Sequence, residues 1–188
     1  MHIKEAIQER RAYRSLAPTE ISEELINDLA GCAQLFCSCF NNQPWRYVFV
    51  YDKDQLAKMH DALSSGNEWA RAASMMIAVC SKPELDCLIK TRKYYLFDTG
   101  MATAAIILRA TELGLVAHPI AGFSPNKTRG VLGIPEDLEV ITLVIVGKHS
   151  DSMNPVLSEK QIAAEKERPE RLPFSEFVYR NRFKNQNE

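Results

Sequence analysis

Glycine is scarce in this 188-residue chain: there are 8, at positions 31, 66, 100, 114, 122, 130, 133 and 147. No GxGxxG or GxxxxGK can be written from that spacing, so a dinucleotide-binding turn and a Walker loop are unsupported, and any bound phosphate must be held by side chains. The 5 cysteines form no CxxC pair, and the chain contains neither HExxH nor GxSxG. Those absences remove the usual signals of zinc ribbons, metalloproteases and serine hydrolases. Cys32, Cys37 and Cys39 cluster but lack a fourth ligand at sensible spacing. No metal site is expected, and the cysteines read as reduced thiols, chiefly small buried hydrophobes. Neither sign of charge dominates: 23 Lys and Arg stand against 24 Asp and Glu, a net charge of −1, which argues against a nucleic-acid partner. Long apolar runs are missing as well. Tyr94–Leu108 comes closest, but Asp98 interrupts it, far short of the roughly 20 residues of a membrane span. Met1–Arg11 carries Lys4, Glu5, Glu9, Arg10 and Arg11 without an apolar stretch, so no signal peptide is expected. The expectation is a cytoplasmic protein with a single domain over residues 1–188, long enough to bury about 70% of its unfolded surface.

What is present reads as mixed α+β. Residues 2–11 suggest a short helix, with Ile3, Ala6 and Ile7 on one face. Thr19 or Ser22 can cap a second helix running through Leu25, Leu29 and Phe36. Arg46–Tyr51 is β-branched and aromatic, hence a strand, and Asp52–Leu63 returns to helix. Met75–Cys80 and Glu139–Val146 are buried strands, and Leu115–Ile120 is a third apolar strand. The segment from about Arg92 to Leu113 is a helix that Gly114 stops. Its middle is apolar nearly all round, so it is either a core helix or half of a subunit interface. Ser124-Pro125 is a cap and first turn for a short helix ending near Gly133. From Lys148 to Glu188 the texture becomes charged and proline-bearing, which suits a frayed tail or an arm docked on another surface.

Two groups of residues can carry chemistry. Arg10-Arg11-Ala12-Tyr13-Arg14 places three guanidiniums within five positions. They can complement the dipole of the opening helix, where Arg10 and Arg14 would lie one turn apart. They also repel one another unless an anion sits between them, and guanidinium suits bidentate phosphate contact. Ser38-Cys39-Phe40-Asn41-Asn42-Gln43-Pro44-Trp45-Arg46-Tyr47 precedes a strand. Its carboxamides can either satisfy a local turn or read the edge of a heterocycle with mixed donors and acceptors.

Arg-Arg-x-x-Arg followed by Asn-x-Gln-Pro-Trp-Arg-Tyr resembles the FMN-dependent nitroreductase family. Gly66-Asn67-Glu68-Trp69, Asp98 in the long helix, Leu113-Gly114-Leu115, Ile120-Ala121-Gly122-Phe123, Val131-Leu132-Gly133-Ile134-Pro135 and Arg171-Leu172-Pro173 follow in the same order. The resemblance covers nearly the whole chain and rests on order and spacing rather than on any one motif. It implies an α+β fold with a central, mostly antiparallel sheet flanked by helices, in an intertwined homodimer with FMN sites at the interface. Residues from about 148 to 188 would be a C-terminal arm docking on the partner subunit.

Carried over position by position, Arg10 would contact the FMN phosphate, with Arg11 and Ala12 beside it, and Arg171 would return to it from the arm. Arg14 would approach the N1/C2-oxygen side of the flavin ring. Asn41 and Gln43 match ring and ribityl contacts, and Cys37-Ser38 match residues reaching in from the partner. Asn67 falls near a further flavin-edge contact, and the Ala121-Gly122 turn would offer the Gly122 N–H toward N5. The resemblance implies that NAD(P)H passes hydride to flavin N5 and that a small, electron-poor acceptor then enters the same cavity, in ping-pong order. Because the flavin carries this chemistry, no acid–base residue is assigned, and His118 reads as a structural histidine. Other flavin reactions on the same fold, or a low-turnover flavin carrier, are the alternatives. Three departures stand out: Ala12 where the family usually has Ser, Cys37-Ser38 where it has Pro-Ser, and bulky Phe40 where a small residue is common. The first removes one hydroxyl contact, worth about 1 kcal/mol. A Cys37 thiol near flavin could be redox-active, although a packed, inert cysteine is the preferred reading.

Overall fold

An apolar run without alternation belongs to a strand covered on both faces, and every residue of Met75–Ser81 is buried. The computed structural model showing this describes residues 1–183. Its elements are α1 (Ile3–Glu9), β1 (Leu16–Ala17), α2 (Glu23–Gln34), β2 (Arg46–Val50), α3 (Lys53–Met59), β3 (Met75–Ser81), β4 (Leu88–Ile89), β5 (Arg92–Lys93), α4 (Tyr94–Glu112), β6 (Leu115–Ile120), α5 (Pro125–Leu132), β7 (Glu139–His149) and α6 (Glu159–Lys166). β7 is the hub of an antiparallel sheet: it pairs with β1, β3 and β6, and β3 pairs in turn with β2. β4 and β5 form a separate hairpin. The α+β class and the mostly antiparallel sheet are those expected from the sequence.

The pleat sorts the side chains into two cores. Met76, Ala78, Cys80, Leu143, Ile145, Val116 and Ile120 face Leu56, Met59, Trp69 and Phe123. Met75, Ile77, Val79, Val144, Val146 and Ala117 face Leu29 and Ala33 of α2 and Ala102, Ile106 and Ala110 of α4. One face of α4 is therefore core, whereas Phe97 and Leu96 are left 62% and 37% exposed. Local signals set the ends: Ser22 accepts the Leu25 N–H, Ser124 accepts that of Lys127, and Gly133 leaves α5 at φ 64°. Among the described residues, no helix is long and apolar enough to cross a membrane.

Three sequence expectations are corrected. First, α1 stops at Glu9 and Arg10 turns extended (φ −53°, ψ 117°), so Arg10 and Arg14 do not share a helical face. The chain is drawn straight because buried Glu165 accepts the N–H groups of Arg14 and Ser15, at 2.6 and 3.2 Å. Second, the cysteines are not all thiols: Cys39 and Cys87 form a disulfide, their Cα atoms brought within 6.1 Å where the β4–β5 hairpin meets the 38–43 loop. Cys80 is buried and Cys32 half-buried, but Cys37 is exposed and so is not the packed cysteine anticipated. Third, the start of the charged C-terminal segment is neither frayed nor detached. β7 runs on to His149, and Leu157 and Glu165, both 7% exposed, anchor α6 to its own chain. Residues 166–183 are exposed, and 184–188 of the anticipated arm lie outside the described residues.

His118 of β6 is 7% exposed on the Trp69 side of the sheet. It stacks on Trp69 with ring centres 4.8 Å apart, and its Nδ1 lies 3.1 Å from the Tyr13 carbonyl oxygen. This is the structural role read from the sequence. Burial pushes its imidazole down to about 4 against the pull of the Tyr13 carbonyl, with Arg14 and Arg10 adding to the depression.

Two measurements follow. Leu143 is fully buried at the centre of β7, so Leu143→Ala is expected to cost about 2–5 kcal/mol in urea unfolding. An imidazole near 4 in the fold, against an ordinary 6.5, keeps the native state neutral while the unfolded chain binds a proton. Stability should therefore fall as pH drops from about 6.5 to 4, by roughly 3 kcal/mol at most, and level off below. His118→Phe, which keeps a ring on Trp69, should flatten that stretch of the pH profile.

Candidate functional site

Arg10, Arg11, Ala12 and Arg14 line one wall of a cavity of about 230 Å³, and Ala164, Arg168, Pro169 and Arg171 line the other. Both walls are stitched by the cations themselves. Arg11 donates to the carbonyls of Ala164 and Glu165, at 2.9 and 3.2 Å, and Arg168 donates to those of Gln8 and Arg10. The Arg11 guanidinium also lies 4.9 Å from the Tyr13 ring centre, and Tyr13 stacks on His149 at 3.7 Å.

Five guanidiniums thus gather with Glu165 as the neighbouring buried carboxylate, and Glu165 is already engaged by two backbone N–H groups. The strain is electrostatic. Burial first, then the charges of Arg168, Arg171 and Arg11, push Arg10 below its ordinary value. Burial does the same to Arg14, and Glu165 opposes it. An anion entering this cavity relieves that repulsion, and phosphate fits the donor geometry of guanidinium.

From the arginines a continuous path leads to Gly122. The Arg14 guanidinium sits 5.9 Å from the Trp69 ring centre. Trp69 donates its indole N–H to Asn67 Oδ1 at 3.1 Å, and Asn67 Nδ2 donates to the Gly122 carbonyl at 2.9 Å. The Asn67 carboxamide is thereby occupied at both ends, so it positions the Ala121-Gly122 turn. A Cβ at position 122 would stand 2.2 Å from Asn67 Nδ2, so a side chain there would push the Asn67 carboxamide off its present hydrogen bonds. Ala121 is exposed, and the Gly122 N–H has no acceptor among the described residues.

Cys37, Ser38, Asn41 and Gln43 lie elsewhere. Their loop enters β2, whose Arg46 pairs with Cys80 and through it with Val140, whereas the arginines enter β1, whose Leu16 pairs with His149. Along β7 those two ends are about 30 Å apart. One chain therefore brings together Arg10, Arg11, Ala12, Arg14 and Arg171, joins Asn67, Ala121 and Gly122 to them, and leaves the 37–43 loop at the far end. Within that loop Ser38 Oγ accepts the Gln43 N–H at 2.9 Å, and Gln43 Nε2 reaches the Asn41 carbonyl at 3.4 Å.

Two charged residues that shape the cavity are not singled out by the sequence: Arg168 in its wall and Glu165 behind it. Arg168 had a usable signal, standing three residues before Arg171 in the same basic stretch. Glu165 had none, because its partners lie about 150 residues away.

Comparison with known proteins gives the same family as the motifs. The model of the Nitroreductase family matches residues 7–148. An Archaeoglobus fulgidus protein with the provisional name NADH dehydrogenase/NAD(P)H nitroreductase is 33% identical over 154 residues, covering 77% of this chain and 84% of its own. A nitroreductase family protein of Clostridium difficile superposes with a TM-score of 0.78 at 23% identity, over 97% of this chain and 100% of that one. A structure titled as an oxidoreductase containing FMN superposes at 0.79 with 25% identity, over 96% and 92%. A family match across three quarters of the chain, on a fold its solved relatives share, means that this chain belongs to the nitroreductase family.

Proposed function

We propose that this chain is an FMN-dependent NAD(P)H oxidoreductase, working as a homodimer, that delivers hydride to an electron-poor acceptor such as a nitroaromatic or a quinone in ping-pong order. The observation that carries the reading is the guanidinium cavity: five cations around a space of about 230 Å³, with Glu165 already engaged. That volume takes a phosphate, yet falls below the roughly 300–1,000 Å³ of a complete small-molecule site. The residues present fit FMN in two further respects. Gly122 offers an N–H without an acceptor among the described residues, on a turn held by the Asn67 carboxamide, and the 37–43 loop presents carboxamides suited to a flavin edge. The names of the family's relatives, NAD(P)H nitroreductase and FMN-containing oxidoreductase, support the same reading.

FMN, when bound, supplies the redox chemistry by accepting hydride from NAD(P)H and passing it to the acceptor. The protein's part is to bind and orient. Arg10, Arg11 and Arg171, with Arg168 between the walls, hold the phosphate. Arg14 is fixed through its backbone N–H on Glu165 and lies over Trp69; it would supply a preformed positive charge beside the bound flavin ring. The Gly122 N–H, positioned by Asn67, directs a donor toward N5. Ser38, Asn41 and Gln43 reach the ring from a second copy, because within one chain they lie at the other end of the sheet. The exposed Phe97 and Leu96 of α4, and Leu172, Phe174 and Phe177 of the C-terminal segment, offer that copy apolar surface to cover.

The purified protein should be yellow, should release FMN rather than FAD on denaturation, and should oxidise NADH or NADPH when a quinone or nitroarene is supplied. A preparation that cannot be loaded with FMN contradicts the reading, and a yellow protein that consumes no nicotinamide contradicts its enzymatic half. Arg171→Ala removes one charge-assisted contact worth about 1.5–3 kcal/mol, so FMN affinity should fall at least tenfold while gel filtration shows the same dimer. Unchanged affinity would mean that the C-terminal segment does not reach the phosphate.

A further inference from the structure

Backbone strain concentrates in the 37–43 loop. Among the described residues five non-glycine positions have φ in the left-handed region, and three of them are Phe40, Asn41 and Gln43, at 48°, 56° and 50°. That region is unfavourable for residues with side chains, so other contacts must hold the loop in shape. Most of those contacts converge on one spot. Cys39 is bonded to Cys87 and donates its N–H to Asp98 Oδ2 at 2.6 Å. Asn42 Nδ2 reaches Asp86 Oδ1 and Cys87 Sγ at 3.3 and 3.4 Å. Within the loop, Ser38 Oγ accepts the Gln43 N–H, the Asn41 and Asn42 N–H groups donate to the Ser38 and Cys39 carbonyls, and Arg46 donates to the Gln43 carbonyl.

The surroundings of the disulfide favour its reduction. Cys39 and Cys87 are both half-buried, so the bond is within reach of solvent. The two sulfurs and the Asp86 carboxylate all lie within 4.8 Å of one another, and Asp86 Oδ2 is buried without a hydrogen-bond donor among the described residues. Asp98, 2% exposed, adds a second carboxylate at the same place. Burial holds its carboxyl above the ordinary carboxylate range, and the Asp86 charge adds to that. A disulfide has no hydrogen to donate to these oxygens, whereas a pair of thiols has two. Opening the bond therefore gives the buried Asp86 oxygen a nearby S–H donor that the closed bond withholds.

We propose that Cys39–Cys87 is a reversible thiol–disulfide site, opened by a dithiol and closed by a disulfide of the same class, that decides whether the 37–43 loop keeps its strained shape. In opening, one thiolate of the dithiol attacks a cysteine sulfur to form a mixed disulfide, and its second thiol then displaces that cysteine. Cys39 and Cys87 each end as S–H, having taken up two electrons and two protons between them, and the reductant leaves as its own disulfide. The consequence for flavin rests on the function proposed above: Ser38, Asn41 and Gln43 ride on this loop, so opening the bond loosens the wall they form.

The test treats the native full-length protein with dithiothreitol in the absence of denaturant. Alkylation with mass spectrometry reports on the cysteines, amide hydrogen exchange on residues 37–43, and flavin fluorescence on FMN affinity. The expected result is that Cys39 and Cys87 become alkylated together, that exchange in 37–43 accelerates at least tenfold while β3 and β7 are unchanged, and that re-oxidation reverses both. FMN affinity should fall about tenfold in parallel. Cys87→Ser should show the fast exchange with or without dithiothreitol. The proposal is overturned if the bond is never found, if it opens only on denaturation, or if its opening leaves loop exchange unchanged. Should neither redox state bind FMN, the flavin reading fails, and the exchange data still decide the switch.

Discussion

Glu165 is the contact on which the rest of the site depends. It is a carboxylate buried in the C-terminal helix, and it accepts the backbone N–H groups of Arg14 and Ser15, about 150 residues away. A buried anion is stable only with donors around it; here those donors are the backbone at which α1 has ended and β1 is about to begin. Satisfying Glu165 therefore draws the N-terminal segment straight across α6. Arg11 then reaches the helix-end carbonyls, and Arg168 reaches back to Gln8 and Arg10. Five guanidiniums end up facing one cavity as a result. The bland net charge of the chain conceals this local excess, which one phosphate-sized anion can neutralise.

On the function proposed above, the same geometry asks for two chains to complete one site. The sheet separates two sets of polar residues by the length of β7. The arginines lie at the His149 end of it, from which Trp69 and Asn67 lead along the sheet to Gly122, and the 37–43 loop sits at the opposite end, where β2 begins. The first set surrounds only a phosphate-sized space, and the second is a strained loop tied to Asp86, Cys87 and Asp98. The proposed two-fold dimer would place one set of each copy against the complementary set of the other. The apolar surface left on α4 and on the C-terminal segment is available to hold such a pair together.

Much of this was legible in the sequence because it depends on near neighbours. The apolar runs of β3 and β7, the Ser22 and Ser124 caps, and Gly133 after α5 are signals read within a few residues. The arginines, Gly122 and Arg171 are singled out by order and spacing shared with a family. What escaped reading depends on distant partners. The end of α1 at Glu9 is set by Glu165, a residue with no local mark. The Cys39–Cys87 bond requires knowing that the β4–β5 hairpin folds against the loop. The hydrogen bonds of Asn67 to Trp69 and Gly122, which hold the 121–122 turn, are a geometry that spacing does not reveal. The C-terminal segment was rightly seen as unable to form its own core, but its helix α6 was missed, because few of its residues are apolar and its anchor is a buried charge.

The central claim is that each flavin site is shared between two chains, and mixing two damaged chains tests it most directly. One chain carries Arg10→Ala and Arg14→Ala, the other Asn41→Ala and Gln43→Ala, and the two are combined, dissociated, reassociated and assayed for bound FMN. If the site is shared, neither variant alone holds flavin, and the mixture regains about a quarter of the wild-type content, one intact site in each mixed dimer. Flavin that fails to return on mixing, with mixed dimers confirmed by mass, would place all the binding residues in one chain and contradict the account.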